Sequence, residues 1–181
     1  MTAINREIAG IDSPTLPLSG LRAFMLNAIL ILAAGLLPAA AHLLGLPVRL
    51  LLPMHWPVLL AGLVYGWRGG LLVGAASPLV SNLLSGMPLP LIMPAMALEL
   101  AAYGFVAGIM REKVGLSSVK STALAILAGR TIFVVSVLIL SSYSGTFGDY
   151  LVAALLPGLP AAVAQTMLLP QLAKKFVKKP Q

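Results

Sequence analysis

Residues 50–110 hold three apolar runs with almost nothing ionisable inside them. Trp67-Arg68-Gly69-Gly70 reads as a short basic turn after the first run, and Gly86-Met87-Pro88-Leu89-Pro90 as an uncharged turn after the second. One acid, Glu99, sits deep in the third. Apolar runs joined by turns of alternating charge, with a rare ionisable group at mid-depth, describe a polytopic membrane protein built around a buried polar site. The rest of the composition agrees: of 181 residues, 59% are hydrophobic and 9% charged, against about 25% charge in a typical soluble domain. That is too little polar surface to cover a water-exposed globule.

The same pattern extends in both directions. Residues 1–20 carry Arg6, Glu7, Asp12, Pro14 and Pro17 and are too polar to span, so they read as a cytoplasmic lead. Residues 23–46 are free of formal charge and form the first expected span. Ala39-Ala40-Ala41 imitates a signal-cleavage site, but the run exceeds the ~7–15 residues of a signal core and further spans follow. The remaining spans are expected at about 54–66, 69–85, 89–110, 122–140 and 150–172, with a basic tail over 173–181. This makes a single all-α domain over residues 1–181 with six transmembrane helices. The second and third spans are shorter than the ~20 residues of a perpendicular crossing, which predicts bending, shielding by neighbours or locally thinned lipid.

Lys and Arg set the orientation. Arg6, Arg22, Arg68, Arg111, Lys113, Lys120, Lys174, Lys175, Lys178 and Lys179 fall on one side, and only Arg49 on the other. The positive-inside rule then places both termini in the cytoplasm of a multi-pass protein. The net charge of +7 has its explanation in the bilayer, so nucleic acid is not an expected partner. Pro78, Pro94, Pro157 and Pro160 predict kinks within spans. Small residues at four-residue spacing (Gly70/Gly74, Ala97/Ala101, Gly104/Gly108, Ala125/Gly129) predict close helix packing.

Arg130 lies inside the fifth span, and counting along two antiparallel helices brings it to the depth of Glu99. An isolated charge there costs about 2.5–3.5 kcal/mol on insertion scales, so a partner is expected. Two readings stand together: a salt bridge that fixes helix register, or a guanidinium that meets an anionic ligand while Glu99 orients it. Asn82 and Gln165 are uncharged hydrogen-bonding candidates, and Asn27 is read as an interhelical contact. His55, with Met54 beside it, opens the second span next to an outer loop. Two histidines and no cysteine do not suit a metal site, and neither a metal nor another cofactor is expected. Trp56, Tyr143, Phe147 and Tyr150 fit an interfacial aromatic belt or a lid over an outward-facing pocket.

Catalytic patterns are missing. Ser144-Gly145 has no histidine in a later span to act as base, and no HExxH or P-loop occurs. The chain therefore reads as non-enzymatic and unable to energise transport with ATP by itself.

Taken together, LLPMHWPVLLAGLVYG, GGLLVGAASPLVSNLLSGMPLP, ALELAAYGFVAGIM and the AGR of the fifth span resemble the substrate-binding membrane subunits (S components) of energy-coupling factor (ECF) vitamin transporters. The resemblance implies a six-helix fold in a prokaryotic plasma membrane and a small vitamin-like ligand bound near the outer face. It implies partnership with a membrane coupling subunit and two cytoplasmic ATPases. By position, it assigns Met54, His55, Met87 and Tyr143 from the outer loops, and Asn82, Glu99, Arg130 and Gln165 from the helices, to the ligand site. Arg130 favours a carboxylate-bearing ligand, with pantothenate the first candidate. The first span lacks the strict Ala-x-x-x-Ala often used for docking and offers Ser19/Ala23 and Gly35/Ala39 instead. A small secondary transporter or channel acting alone is the competing expectation, although no internal repeat relates the two halves.

Overall fold

The computed structural model describes residues 15–140, 152 and 155–177. All regular structure among them is helical: α1 (Gly20–Leu43), α2 (Val48–Leu51), α3 (His55–Ser85), α4 (Met93–Glu112), α5 (Ser118–Leu140) and α6 (Leu159–Val177), with a 3-10 turn at Leu156–Gly158. Among the described residues, four segments are long and apolar enough to cross a membrane: Gly20–Leu43, Val48–Ser85, Met93–Glu112 and Ser118–Ile139.

The 31 residues of α3 are not one rod. Gly66 has φ 72° and ψ −168°, a conformation that an L side chain rarely adopts. The helix folds back there, as its contacts with α4 show. On the first limb (residues 55–65), Gly62 lies against Gly104 and Gly108; on the second (67–85), Gly70 lies against the same Gly104 and Gly74 against Leu100. One limb therefore runs with α4 and the other against it. The two short spans expected from the sequence are these limbs, but the connection is a single residue. Trp67-Arg68-Gly69-Gly70, expected as a turn, is already helical.

Helix ends leave backbone groups without intrahelical partners, and such ends inside a fold need substitutes. Both are supplied here. The N–H of Leu16 donates to the Val64 carbonyl at 2.7 Å, and the Trp67 N–H donates to Glu112 Oε2 at 3.3 Å. A carboxylate at the start of the second limb also sits favourably at the positive end of its dipole.

The first limb is the centre of the molecule. Val58, Leu59, Ala61, Gly62, Leu63, Val64 and Tyr65 are all buried, so it is apolar all round and shielded by protein. Such a limb has no hydrocarbon thickness to match, which accounts for its shortness. Leu100 and Tyr103 of α4 and Leu169 of α6 complete this core. α1 packs along the second limb through small residues, with Ser81 Oγ donating to the Gly35 carbonyl at 3.4 Å. Ala23 and Gly35 are buried, while Leu21, Phe24, Ile29 and Leu36 on the other face are exposed. Half of each small-residue pair in α1 is thus turned toward α3.

Proline positions differ from the expected kinks in two places. α4 begins at Met93, which puts Pro94 in its first turn, where the missing N–H removes no helical bond. Pro157 lies in the 3-10 turn, directly after helical Leu155, and Pro160 is the second residue of α6; Tyr150, where the sixth span was expected to begin, lies outside the described residues. Pro78 is within α3, as expected.

A Cβ placed on Gly104 would run into the backbone of Gly70. Neither helix can yield without moving the other, so Gly104→Val is expected to destabilise the fold by about 3 kcal/mol or more, at the upper end of overpacking costs. Thermal unfolding in detergent checks this, with Leu83→Ala, at a site 84% exposed, expected to leave the melting temperature in place.

Candidate ligand site

The α3–α4 contact puts the first residue of α3 beside the middle of α4. His55 Nε2 lies 3.5 Å from Glu99 Oε1, and its ring meets Tyr103 edge-on with centroids 4.9 Å apart. Tyr103 is one turn on from Glu99, so one face of α4 holds both partners of the imidazole. From α5, Arg130 Nη1 donates to the same Glu99 oxygen at 3.1 Å. α5 approaches closely because Gly129 has no side chain where the Tyr103 ring passes: a Cβ there would sit 2.6 Å from ring carbons.

Glu99 is 2% exposed and His55 4%. A carboxylate taken that far out of water needs a compensating charge, and Arg130 provides it. The depth matching expected from sequence thus ends in direct contact, and His55 joins as a third member. The other side of the guanidinium lies over Gly158, where an added Cβ would be 3.2 Å from Arg130 Cζ and 3.1 Å from Leu52 Cδ1. The glycine just before α6 leaves room for the charge.

Buried polar atoms without partners are uncommon and call for an explanation. Three lie on expected site residues: His55 Nδ1, Arg130 Nη2 and Gln165 Nε2 have no hydrogen-bond partner among the described residues. Gln165 is 1% exposed. It belongs to the inward stripe Ala161, Gln165, Leu169 and Ala173 of α6, two turns from Gly158 on the same face.

A cavity of about 750 Å³ opens where α1 ends and α3 begins. Met54, His55 and Met87, all expected site residues, line it together with Met96, Arg49 and His42. Its walls are mostly leucine, proline and methionine, and it reaches His55 with Glu99 and Arg130 beyond its lining. Asn82 does not line it: its Nδ2 donates to the Pro88 carbonyl at 2.9 Å and so ties α3 to the following loop. Gln165 is also outside the lining, and Tyr143 lies outside the described residues. Trp56 Nε1 donates to the Leu51 carbonyl at 2.9 Å, which holds α2 against the start of α3.

Sequence reasoning had not assigned Arg49, His42, Met96 or Tyr103 to the site. Arg49 carried a signal, since it is the one base on its side of the expected topology. Met96 and Tyr103 flank Glu99 by one turn each and could have been found from helical spacing.

A family model described as "ECF transporter, substrate-specific component" matches residues 22–178. Searches of curated proteins and of solved structures return no match.

Removing the carboxylate strands a mostly buried guanidinium. Glu99→Gln is expected to cost about 2–3 kcal/mol, less than the ~3–5 kcal/mol of a fully buried pair because the Arg130 side chain is 17% exposed. Glu99→Gln/Arg130→Gln is expected to recover part of that loss. A double-mutant cycle on thermal unfolding reads the difference.

Proposed function

Because the chain belongs to the family of ECF transporter substrate-specific components, which are non-enzymatic transporter subunits, we propose that it crosses the membrane six times. We propose further that it captures a small, water-soluble, carboxylate-bearing micronutrient at the outer face of a prokaryotic plasma membrane. Partner ATPases acting through a membrane coupling subunit energise uptake.

The reversal at Gly66 supports six crossings, since the two limbs of α3 then count separately. The basic residues support the orientation. Arg22 lies in the first turn of α1, Arg68 stacks on Trp67 beside the reversal at 5.0 Å, and Arg111 closes α4. All belong to the end opposite the cavity, so the positive-inside rule faces the cavity outward and both termini inward.

The observation that carries the ligand reading is the cavity of about 750 Å³ at the base-poor end, within the ~300–1,000 Å³ of small-molecule sites. Behind it are the unpartnered donors of Arg130 and Gln165. Among the described residues, the formally charged or protonatable groups on its lining are Arg49, His42 and His55, with no carboxylate, which favours an anion. Met54, Met87 and His55 form its wall, and Glu99 and Arg130 brace that wall. Asn82 shapes the loop, while Gln165 and Tyr143 complete the set proposed from sequence. Pantothenate is the first compound to test.

Mass spectrometry of small molecules released by denaturing the gently purified protein is expected to find one vitamin-like acid at near one-to-one stoichiometry. Arg130→Ala is expected to lower affinity for that acid at least about tenfold, in keeping with a lost charge-assisted hydrogen bond or the collapse of its Glu99 partner. Vesicles holding the chain alone are expected not to accumulate it. Ion-driven uptake by the isolated chain would instead establish a stand-alone carrier.

A further inference from the structure

The protein shield around the first limb of α3 thins between α1 and α6. A crevice of about 90 Å³ lies there, with Leu60, Val64 and Tyr65 of the limb as its floor, Leu26 and Leu30 of α1 as one wall and Phe176 of α6 as the other. Leu60 is only partly buried at this place. Both flanking helices pack on α3, so the crevice is a seam between them and not a fault in either. The side chains are all aliphatic or aromatic, and water gains few partners among them. The volume is far below the ~300–1,000 Å³ of sites that enclose a small molecule. A flexible hydrocarbon chain laid along the seam fits it better.

The end of the seam nearest Gly66 is basic. Arg22 lies one turn from Leu26 on the same face of α1 and is exposed. The first turn of α1 holds no acid, and Ser19 gives it no side-chain cap, so the positive end of the helix dipole adds to the Arg22 charge. Lys174 and Lys175 stand in the last turn of α6, next to Phe176, and both are exposed. Long basic side chains keep their stems along apolar protein and carry the charge to the membrane surface. Glu112, an acid at this end, is engaged with the Trp67 N–H and with Lys113 Nζ at 3.2 Å. An apolar slot that ends in a basic collar matches a molecule with hydrocarbon at one end and a phosphate at the other.

We propose that this seam binds one anionic glycerophospholipid. An acyl chain lies over Leu60 and Val64 between Leu30 and Phe176, and the phosphate sits between Arg22 and Lys175. The bound lipid completes the shield of the first limb. Only its assignment to the inner leaflet rests on the orientation proposed above; the site itself lies at the end opposite the ligand cavity and is independent of what that cavity holds.

Three probes separate chain from headgroup: dioleoyl phosphatidylglycerol, dioleoyl phosphatidylcholine (same chains, no net charge) and glycerol phosphate (no chains). Each is added to the full chain in detergent, with lipid retention counted by native mass spectrometry and affinity read by titrated thermal stabilisation. Phosphatidylglycerol is expected to be retained at one per chain and to bind about fivefold or more tightly than phosphatidylcholine, the size of effect one basic side chain gives at a membrane surface. Glycerol phosphate is expected not to stabilise. Arg22→Gln/Lys175→Gln is expected to erase the preference between the two lipids, and Lys120→Gln, a base lost from the start of α5, to leave it intact. Ile29→Trp, at a rim position 54% exposed and therefore tolerant of a larger side chain, is expected to fill the seam and weaken both lipids. Equal binding of the two lipids by the unmodified chain would overturn the proposal, as would a preference that falls equally in Lys120→Gln, which would mark a diffuse surface charge. Stabilisation by glycerol phosphate alone would reduce the site to one for a free anion. Unchanged phosphatidylglycerol binding in Ile29→Trp would remove the seam as its seat. A dimer of the chain, or a complex with the coupling subunit, that is lost in Ile29→Trp and retains no lipid would give the seam to a protein partner and overturn it too. None of these outcomes bears on the ligand-binding reading, which the mass-spectrometric search for a vitamin-like acid judges separately.

Discussion

Everything in this molecule depends on how closely α3 and α4 approach. Gly62 and Gly70 meet Gly104, Gly66 and Trp67 meet Gly108, and Gly74 meets the backbone at Leu100. In lipid, apolar side chains gain little from leaving one apolar medium for another, so association rests on close packing and hydrogen bonds. Glycine permits contact of main chain with main chain. Because both limbs of α3 touch α4 at Gly104, the level of the reversal on α4 is fixed. The start of the first limb then has only one place to go, next to Glu99.

That placement makes the buried acid tolerable and useful. A carboxylate at 2% exposure is stable only with a compensating charge, and a single guanidinium gives it one. The remaining capacity of its oxygens orients the imidazole of His55, as a carboxylate behind a histidine commonly does. The ion pair thus pins α4 to α5, and the register-fixing reading left open by the sequence has its contact. Its role toward a ligand belongs to the proposed function.

Much of this could be read from the residues alone, for identifiable reasons. Span positions follow from charge-free runs, and the glycine pairs announced their own contact. The equal depth of Glu99 and Arg130 followed from helical rise. What escaped was set by groups distant in sequence. Trp67-Arg68-Gly69-Gly70 looks like a turn locally, yet it is helical because Glu112, 45 positions away, caps the Trp67 N–H. Pro157 and Pro160 fall in a 3-10 turn and a first helical turn, where a missing N–H is tolerated. Asn82, a hydrogen-bonding candidate from sequence, gives its donor to the carbonyl of Pro88, six residues on. Arg49 was counted for topology and passed over for chemistry, since nothing local distinguishes a rim charge from a loop charge.

Among the described residues, the two ends of the molecule are closed in different ways. Near Gly66 the chain is sealed by backbone contacts, by Glu112 on the second limb and by Leu16 on the first. Near His55 the closure consists of a short helix, single side-chain-to-carbonyl bonds from Trp56 and Asn82, and a 3.5 Å contact to Glu99. Local opening draws on the weakest set of contacts first. The glycine-sealed end is therefore expected to keep helix register when the opposite end opens, and the Glu99–Arg130 pair lies between them.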